Sequence, residues 1–493
     1  MNDECSIILL PLDSRPVSYL LPKQIADFSG INLILPERKY LGDLNKGSDL
    51  NYLEKWLINM GLRSDVFLII SLDNWVYGGL VQSRKHNYTL DELRARANLL
   101  KTSFKKNYKS RLYAFSTILR ISNNNLNEEE KEYWKDYGEK IFKWSELMYK
   151  VGRGIKEEGI TNEELIENWY QSSKEIPPQI LTDYKSHRDK NLTINIFWLE
   201  SLHEKVFEHL IFSSDDSSRY GMNVVEAEYL KKQINNHKFS DVTKVMSGTD
   251  EAPLVLLTSA ILNLSKIKPA ISVYFNSAKG KEELARYESS SVYNAVLDQI
   301  GAFGLEIKDF QDSDIALFVH LTDSYQGDHI FKEKLETNTK DNANKIIDLI
   351  KEIKKPFILL DLAYANGADP NLIEALFVDE NKDIIGRYLY GFAAWNTCSN
   401  STGCALAMGI NRWLAEKRNT FNEKEFKKCL LTRLLDDYAY QAKVRHSNVR
   451  EEEINEKMKD YNHTFSKQLG LNDINIKCLL PWNRSFEVEV VLT

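Results

Sequence analysis

The residues best suited to chemistry in this 493-residue chain are carboxylates that follow apolar runs. Asp13 follows Pro11-Leu12, Asp73 follows Ser71-Leu72, Asp215-Asp216 follow Ser213-Ser214, and Asp250-Glu251 follow Gly248-Thr249. Two carboxyl groups that face one cleft divide into a protonated acid and an ionised base when their environments differ, which is what cleavage of a glycosidic bond requires. Asp215 and Asp216 form one such pair. Adjacent strand residues point to opposite faces, so both can enter a cleft only if a turn begins between them, and Ser217-Ser218 provide turn-forming residues. The set Asp215, Asp216, Asp250 and Glu251 also offers oxygen ligands for a divalent ion such as Mg²⁺ or Mn²⁺.

A single Asp after a strand commonly caps the next helix. Capping does not call for the flat and cationic side chains that accompany these acids: Arg15, Tyr77, Arg219, Tyr220 and, further on, Trp395. Together with Asn366, Asp369 and Asn396 they supply the paired donors, acceptors and ring faces that a sugar needs.

These residues need a scaffold that brings strand ends together. Strand-like apolar runs occur at 6–12, 32–35, 66–72, 112–119, 210–213, 243–246, 271–275, 315–321, 357–360 and 389–393, mostly followed by a turn and a helical pattern. Most are continuously apolar, as parallel strands covered on both faces are. The expected fold is α/β: a parallel-sheet N-terminal unit, barrel-like or doubly wound, at 1–266 with a helical insertion at 128–178; a second Rossmann-like unit at 267–415; and a mainly helical appendage at 416–493. In parallel sheets ligands bind beyond the carboxyl ends of the strands, where these acids fall. Helices are expected at 252–264 and 404–414. The segment Ser399-Asn400-Ser401-Thr402-Gly403 is read as the approach to the second, able to offer backbone amides to an anion or a sugar oxygen or to serve as a plain cap.

Composition narrows the function. The formal charge of -7 provides no field for a polyphosphate backbone, so nucleic acid is not an expected partner. The start Met1-Asn2-Asp3-Glu4 is acidic where a secretory signal is basic, and no apolar run is long enough for a span, so a cytoplasmic protein with no membrane partner is expected. Cys5, Cys398, Cys404, Cys429 and Cys478 are odd in number and lack metal-ligand spacing, which points to reduced, buried thiols. His320, which ends a strand, reads as a core histidine before it reads as a ligand. No phosphate-binding loop, dinucleotide fingerprint or serine elbow is present, and no cofactor is expected unless the carboxylates hold a metal.

Gly248-Thr249-Asp250-Glu251 resembles the Gly-x-Asp-Glu strand end of substrate-assisted hexosaminidases, a likeness that implies an orienting role for Asp250 and an acid role for Glu251. On a larger scale the ordered motifs resemble a bacterial domain-of-unknown-function family, number 4127. The matching stretches include Pro11-Leu12-Asp13-Ser14-Arg15-Pro16, Ser83-Arg84, Tyr184 with Arg188, Asn191 and Asn195, Asp215-Asp216, Glu226, Trp395-Asn396-Thr397, and Asp436-Asp437 with Gln441 and Arg445. That likeness implies no activity. The residues themselves lead to an expected bacterial glycoside hydrolase for a small sugar or oligosaccharide, with a β-N-acetylhexosaminide among the candidates. Glu251, Asp250, Asp215 and Asp216 would be catalytic, and Asp13, Arg15, Asp73, Tyr77, Arg219, Tyr220, Asn366, Asp369, Trp395 and Asn396 would bind substrate. The alternatives are a metal-dependent sugar hydrolase or isomerase built on the same acids, and a sugar-binding or sensing protein without catalysis.

Overall fold

The structure, a computed structural model, describes residues 6–61, 66–105, 111–155, 158–216, 218–331, 339–447, 450–471 and 474–493. Cys5 and Ser217 therefore lie outside the described residues. The chain forms two compact units, one comprising Met1–Ser14, Ile34–Pro253 and Tyr287–Ser289, the other Arg15–Leu33, Leu254–Arg286 and Ser290–Thr493.

The sheet of the first unit contains β1 (Ile7–Leu10), β2 (Leu33–Ile34), β3 (Phe67–Ser71), β4 (Arg111–Ile118), β5 (His209–Ser214) and β6 (Thr243–Ser247), in the order β2-β1-β3-β4-β5-β6. The pairs from β1 to β6 are parallel. The order leaves two edges, so the sheet is doubly wound and not a barrel. Every residue of β1 and β3 is buried, which is why their sequences are apolar throughout except for Ser71. After β4 come the helices Trp134–Arg153, Asn162–Lys174 and Pro178–Glu200, packed around Trp134, Ile141, Trp144, Ile176 and Tyr184.

The second unit holds β7 (Ala270–Phe275), β8 (Glu306–Ile307), β9 (Ile315–His320), β11 (Phe357–Asp361) and β13 (Leu389–Ala393) in a parallel sheet ordered β13-β11-β9-β7-β8. The short strands β10 (Gly327–Asp328) and β12 (Tyr364–Ala365) pair beyond its carboxyl end, and β14 (Ile476–Leu479) pairs antiparallel with β15 (Glu489–Leu492). In both sheets the chain runs from the first strand to an edge strand and then crosses back to the other side of the first. The resulting switch points are β1/β3 and β7/β9, where α/β sheets open a crevice.

All ten expected strands are present. The helix expected at 404–414 instead spans Cys398–Arg418, so Ser399 to Gly403 form its opening turns and not a loop before it. Thr397 is the N-cap and accepts from the Asn400 amide at 3.2 Å, which takes up one of the amides otherwise open to an anion. Cys398, Cys404, Cys429 and Cys478 are buried free thiols. Among the described residues no helix is long and apolar enough to cross a membrane.

Candidate functional site

At the carboxyl end of the first sheet, β3 leads directly into a short helix, Leu72–Tyr77, capped by the Ser71 hydroxyl, which accepts from the Asn74 amide at 3.1 Å. The helix ends at Gly78 (φ 96°) and Gly79 (φ 138°), conformations that a side chain resists, and the next short helix starts at Leu80. This sharp turn buries Asp73 in the first turn and Arg84 in the second helix. The Asn74 amide group reaches across to the Pro11 carbonyl at 2.6 Å, tying the end of β3 to that of β1, where Asp13 is buried.

Asp73 accepts from the Thr117 amide at 2.8 Å and its hydroxyl at 3.0 Å. Burial raises its carboxyl to about 7 against the pull of these two bonds, and the Asp215 charge adds to the rise. Tyr77 is buried, held well above the ordinary phenol range by burial and the Asp73 charge, and stacks on His86.

Beyond β5 and β6 the expected acids come together. The strands are in register at Ser214 and Ser247, and the Gly248 amide donates to the Ser214 carbonyl at 2.8 Å. Asp215 pairs with Arg84, which also pairs with Glu129. Arg120, just past β4, binds Glu129 and Glu130 at 3.0 Å each and lies 3.6 Å from Asp216. Two guanidinium groups thus serve four carboxylates. The Asp216 side chain is 45% exposed, yet surrounding protein and the Asp215 charge raise its carboxyl to about 6, with Asp250 contributing and both arginines opposing. The Asp215 charge thus acts on both Asp73 and Asp216, and that of Asp250 on Asp216.

Glu251 is fully buried, and its carboxylate lies so close to the backbone that a Cβ on Gly248 (φ 79°) would overlap it at 1.8 Å. It forms part of the turn into the helix Ala252–Ser265. Tyr220 is half-buried beside Tyr149 and the Lys150 ammonium, and Arg219 is exposed with its guanidinium 5.4 Å from the Tyr220 ring.

The residues that position these groups belong to the helix Pro178–Glu200. Asn195 accepts from the Ser116 hydroxyl at 2.7 Å and donates to the Thr117 carbonyl at 3.1 Å. Arg188 makes two 2.7 Å bonds to Glu226 and donates to the carbonyls of Leu119 and Arg120 at 2.8 and 3.0 Å. Asn191 donates to the Ser83 carbonyl beside Arg84. The end of β4, and with it Thr117 and Arg120, is fixed by side chains from a helix about 70 residues later in the chain.

In the second unit Asn276, His320 and Asp369 form a buried chain across the β7/β9 switch point, with contacts of 3.1 Å (Asn276 to His320 Nδ1) and 2.9 Å (His320 Nε2 to Asp369). The Asp369 amide donates to Asp361 at 2.6 Å, and the other Asp369 oxygen caps the helix Pro370–Leu376 through the Asn371 amide. Burial opposes the His320 charge, but the Asp369 bond and the two carboxylates raise its pKa. Burial raises Asp361 to about 6. Asn366 (φ 58°) donates to Asp328, and its amide bonds the carbonyl of Asn396 (φ 72°). Trp395 is buried 5.6 Å from Phe486, and Arg15 lies 3.5 Å from Glu487. Arg15, Asn366, Asp369, Trp395 and Asn396 therefore belong to the second unit, and the other expected site residues to the first. Among the described residues no group of three or more His, Cys, Asp or Glu side chains is arranged to hold a metal ion.

The profile of one family, described as Protein of unknown function (DUF4127), matches residues 7–491. The chain belongs to this family. No curated protein and no solved structure matches it. The DUF4127 motifs noted in the sequence include Arg84, Arg188, Asn191, Asn195, Asp215, Asp216 and Glu226, which in the structure are the arginine-held acids and the helix that braces them. Arg120, Glu129, Glu130 and Thr117 complete the cluster, although the sequence reading did not single them out.

Proposed function

We propose that this DUF4127 protein is a glycoside hydrolase for a small sugar or oligosaccharide, working at the strand ends of its first unit. The observation that carries the reading is the unlike pair Asp215 and Asp216: one is buried against Arg84, the other half-exposed with its carboxyl raised to about 6. Asp216 is the proton donor to the leaving oxygen, because its proton is available near neutrality and its side chain reaches solvent. Asp215, held against Arg84, acts on the sugar as nucleophile or base. Asp73, with its carboxyl raised to about 7, is a second neutral acid able to donate a hydrogen bond to a sugar hydroxyl. Asp250 adds negative charge beside Asp216 and favours its protonated form, while Glu251 shapes the turn that presents Asp250.

Aryl glycosides spanning the common sugars, including β-N-acetylglucosaminide, test the reading in the intact protein. Asp216→Asn should lower kcat/KM by about 10² to 10⁴-fold on natural-type leaving groups, and the wild-type rate should fall as pH rises through about 6. Failure of every glycoside to turn over, or a variant as active as the parent, would remove it. The metal-dependent alternative requires the acids to leave Arg84 and Arg120; chelator-sensitive turnover restored by Mn²⁺ would favour it.

A further inference from the structure

In the second unit the short strands β10 and β12 meet around one buried carboxylate. Asp328 accepts from the Asn366 side-chain amide at 3.2 Å and lies 3.6 Å from the Arg286 guanidinium. The Arg286 backbone amide donates to Gln326 Oε1 at 3.0 Å. These bonds fix which end of each amide is engaged, leaving Gln326 Nε2 as a donor and Asn366 Oδ1 as an acceptor. Among the described residues neither atom has a hydrogen-bond partner, and neither does the indole N–H of Trp395. Trp395 belongs to the same place. The Asn366 amide donates to the Asn396 carbonyl at 3.2 Å and the Gly367 amide to that of Ala394 at 3.1 Å, which seats the end of β12 on the residues flanking Trp395. Gln326, Asn366 and Trp395 are only 5%, 2% and 3% exposed. Unpaired polar atoms at that depth are costly, so two donors and one acceptor left unmet side by side point to a ligand that meets them.

The chemistry of the three atoms selects the occupant. A carboxylate or phosphate only accepts, so it would leave Asn366 Oδ1 unmet and bring a second negative charge toward Asp328. An ammonium only donates and would leave Gln326 and Trp395 unmet. A hydroxyl offers one hydrogen and two lone pairs, which is the ratio the three atoms require. Groups that reach solvent adjoin them: Asn396 is half-buried, and so are His329 and Tyr364, whose rings stack with centres 4.2 Å apart at 18°. The His329 ring packs on Gly367, where a Cβ would approach it at 2.9 Å. Burial lowers the His329 pKa to about 4, so the stack is uncharged near neutrality. Flat uncharged rings beside hydroxyl partners suit the apolar face of a sugar.

We propose that Gln326, Asn366 and Trp395, with Asn396 and the His329–Tyr364 stack, form a second binding site, for an uncharged hydroxylated ring such as a monosaccharide or cyclic polyol. The site is independent of the glycosidase reading, because it uses none of the first unit's acids and is read by binding and not by turnover. The experiment is calorimetric titration of the full chain with glucose, galactose, N-acetylglucosamine and myo-inositol, and with glucuronate and glucosamine as charged counterparts. At least one neutral ring should bind with Kd below about 10 mM and without dependence on salt, and the charged rings about tenfold more weakly or not at all. Trp395→Phe, which deletes the unpaired N–H and keeps a ring, should weaken the neutral ring about fivefold or more. Asn366→Gly, which accepts the φ of 58° without strain, should weaken it about tenfold or more, and Asp216→Asn should leave it in place. No binding of any neutral ring up to about 10 mM would assign the three atoms to ordered water and overturn the proposal. Glucuronate bound as tightly as the best neutral ring would also overturn it, as would binding lost in Asp216→Asn but kept in folded Trp395→Phe and Asn366→Gly.

Discussion

The two sheets share a strand order over their first five strands and differ in what they place at the strand ends. Beyond β4 and β5 four carboxylates share two arginines, and Asp216 retains access to solvent with its carboxyl raised to about 6. Beyond β9 and β11, Asn276, His320, Asp361 and Asp369 bond one another, and no side chain among the last three is exposed. A proton donor must reach its substrate, whereas a sealed polar chain fixes loops and a helix start. Similar topology and similar residue types thus differ in solvent access, and under the proposed function that difference separates a proton donor from a structural cluster.

Substitutions can break this contrast. The largest effect is expected at Asp216, where Asn should lower turnover by about 10² to 10⁴-fold while moving stability by less than about 1 kcal/mol. A comparable loss of Tm and of rate would make Asp216 a structural acid like Asp369. Asp369→Ala should show the opposite signature, losing about 3–5 kcal/mol in urea unfolding because it leaves His320 and Asp361 buried without their partner. A fully stable variant would show that the second cluster is not sealed.

Asp73 sharpens the comparison through pH. Its carboxyl is raised from 3.8 to about 7 in the fold. The fold thus favours the protonated form, so this group's stabilising contribution is complete below about 4 and lost as pH rises through about 7. Asp73→Asn, which cannot ionise, should match wild type at pH near 4 and exceed it by roughly 2–4 kcal/mol near pH 8. An equal difference at both pH values would show that lost bonds to Thr117, and not charge, set the outcome. The smallest effect belongs to the N-cap: Thr397→Ala should cost about 1 kcal/mol by circular dichroism melting, and a null result would mean that packing alone starts the helix Cys398–Arg418.

The strands were legible because parallel strands covered on both faces leave nearly continuous apolar runs, as at Ile7–Leu10 and in the first four residues of Phe67–Ser71. β8 was not, since Glu306 and Ile307 are two exposed residues with no periodicity to read. The start at Cys398 was missed because Ser399, Asn400, Thr402 and Gly403 are weak helix formers that burial holds in helical form. Acids near β5 and β6 could be read from strand ends. Their cations could not, because Arg84 meets Asp215 across 131 residues, and no local pattern encodes such a pairing. Glu129 and Glu130 fall at the start of the expected insertion at 128–178, where no local pattern marks them as partners of Arg120.

The polar buried side of the helix Pro178–Glu200 has a mechanical consequence. Arg188, Asn191 and Asn195 reach backbone carbonyls at Leu119, Arg120, Ser83 and Thr117. A greasy interface would let the helix slide and repack, but here a shift of one turn would strand all these donors at once. The helix works like a key cut to a single depth, and the acids it serves are held to one spacing until the whole lock comes apart.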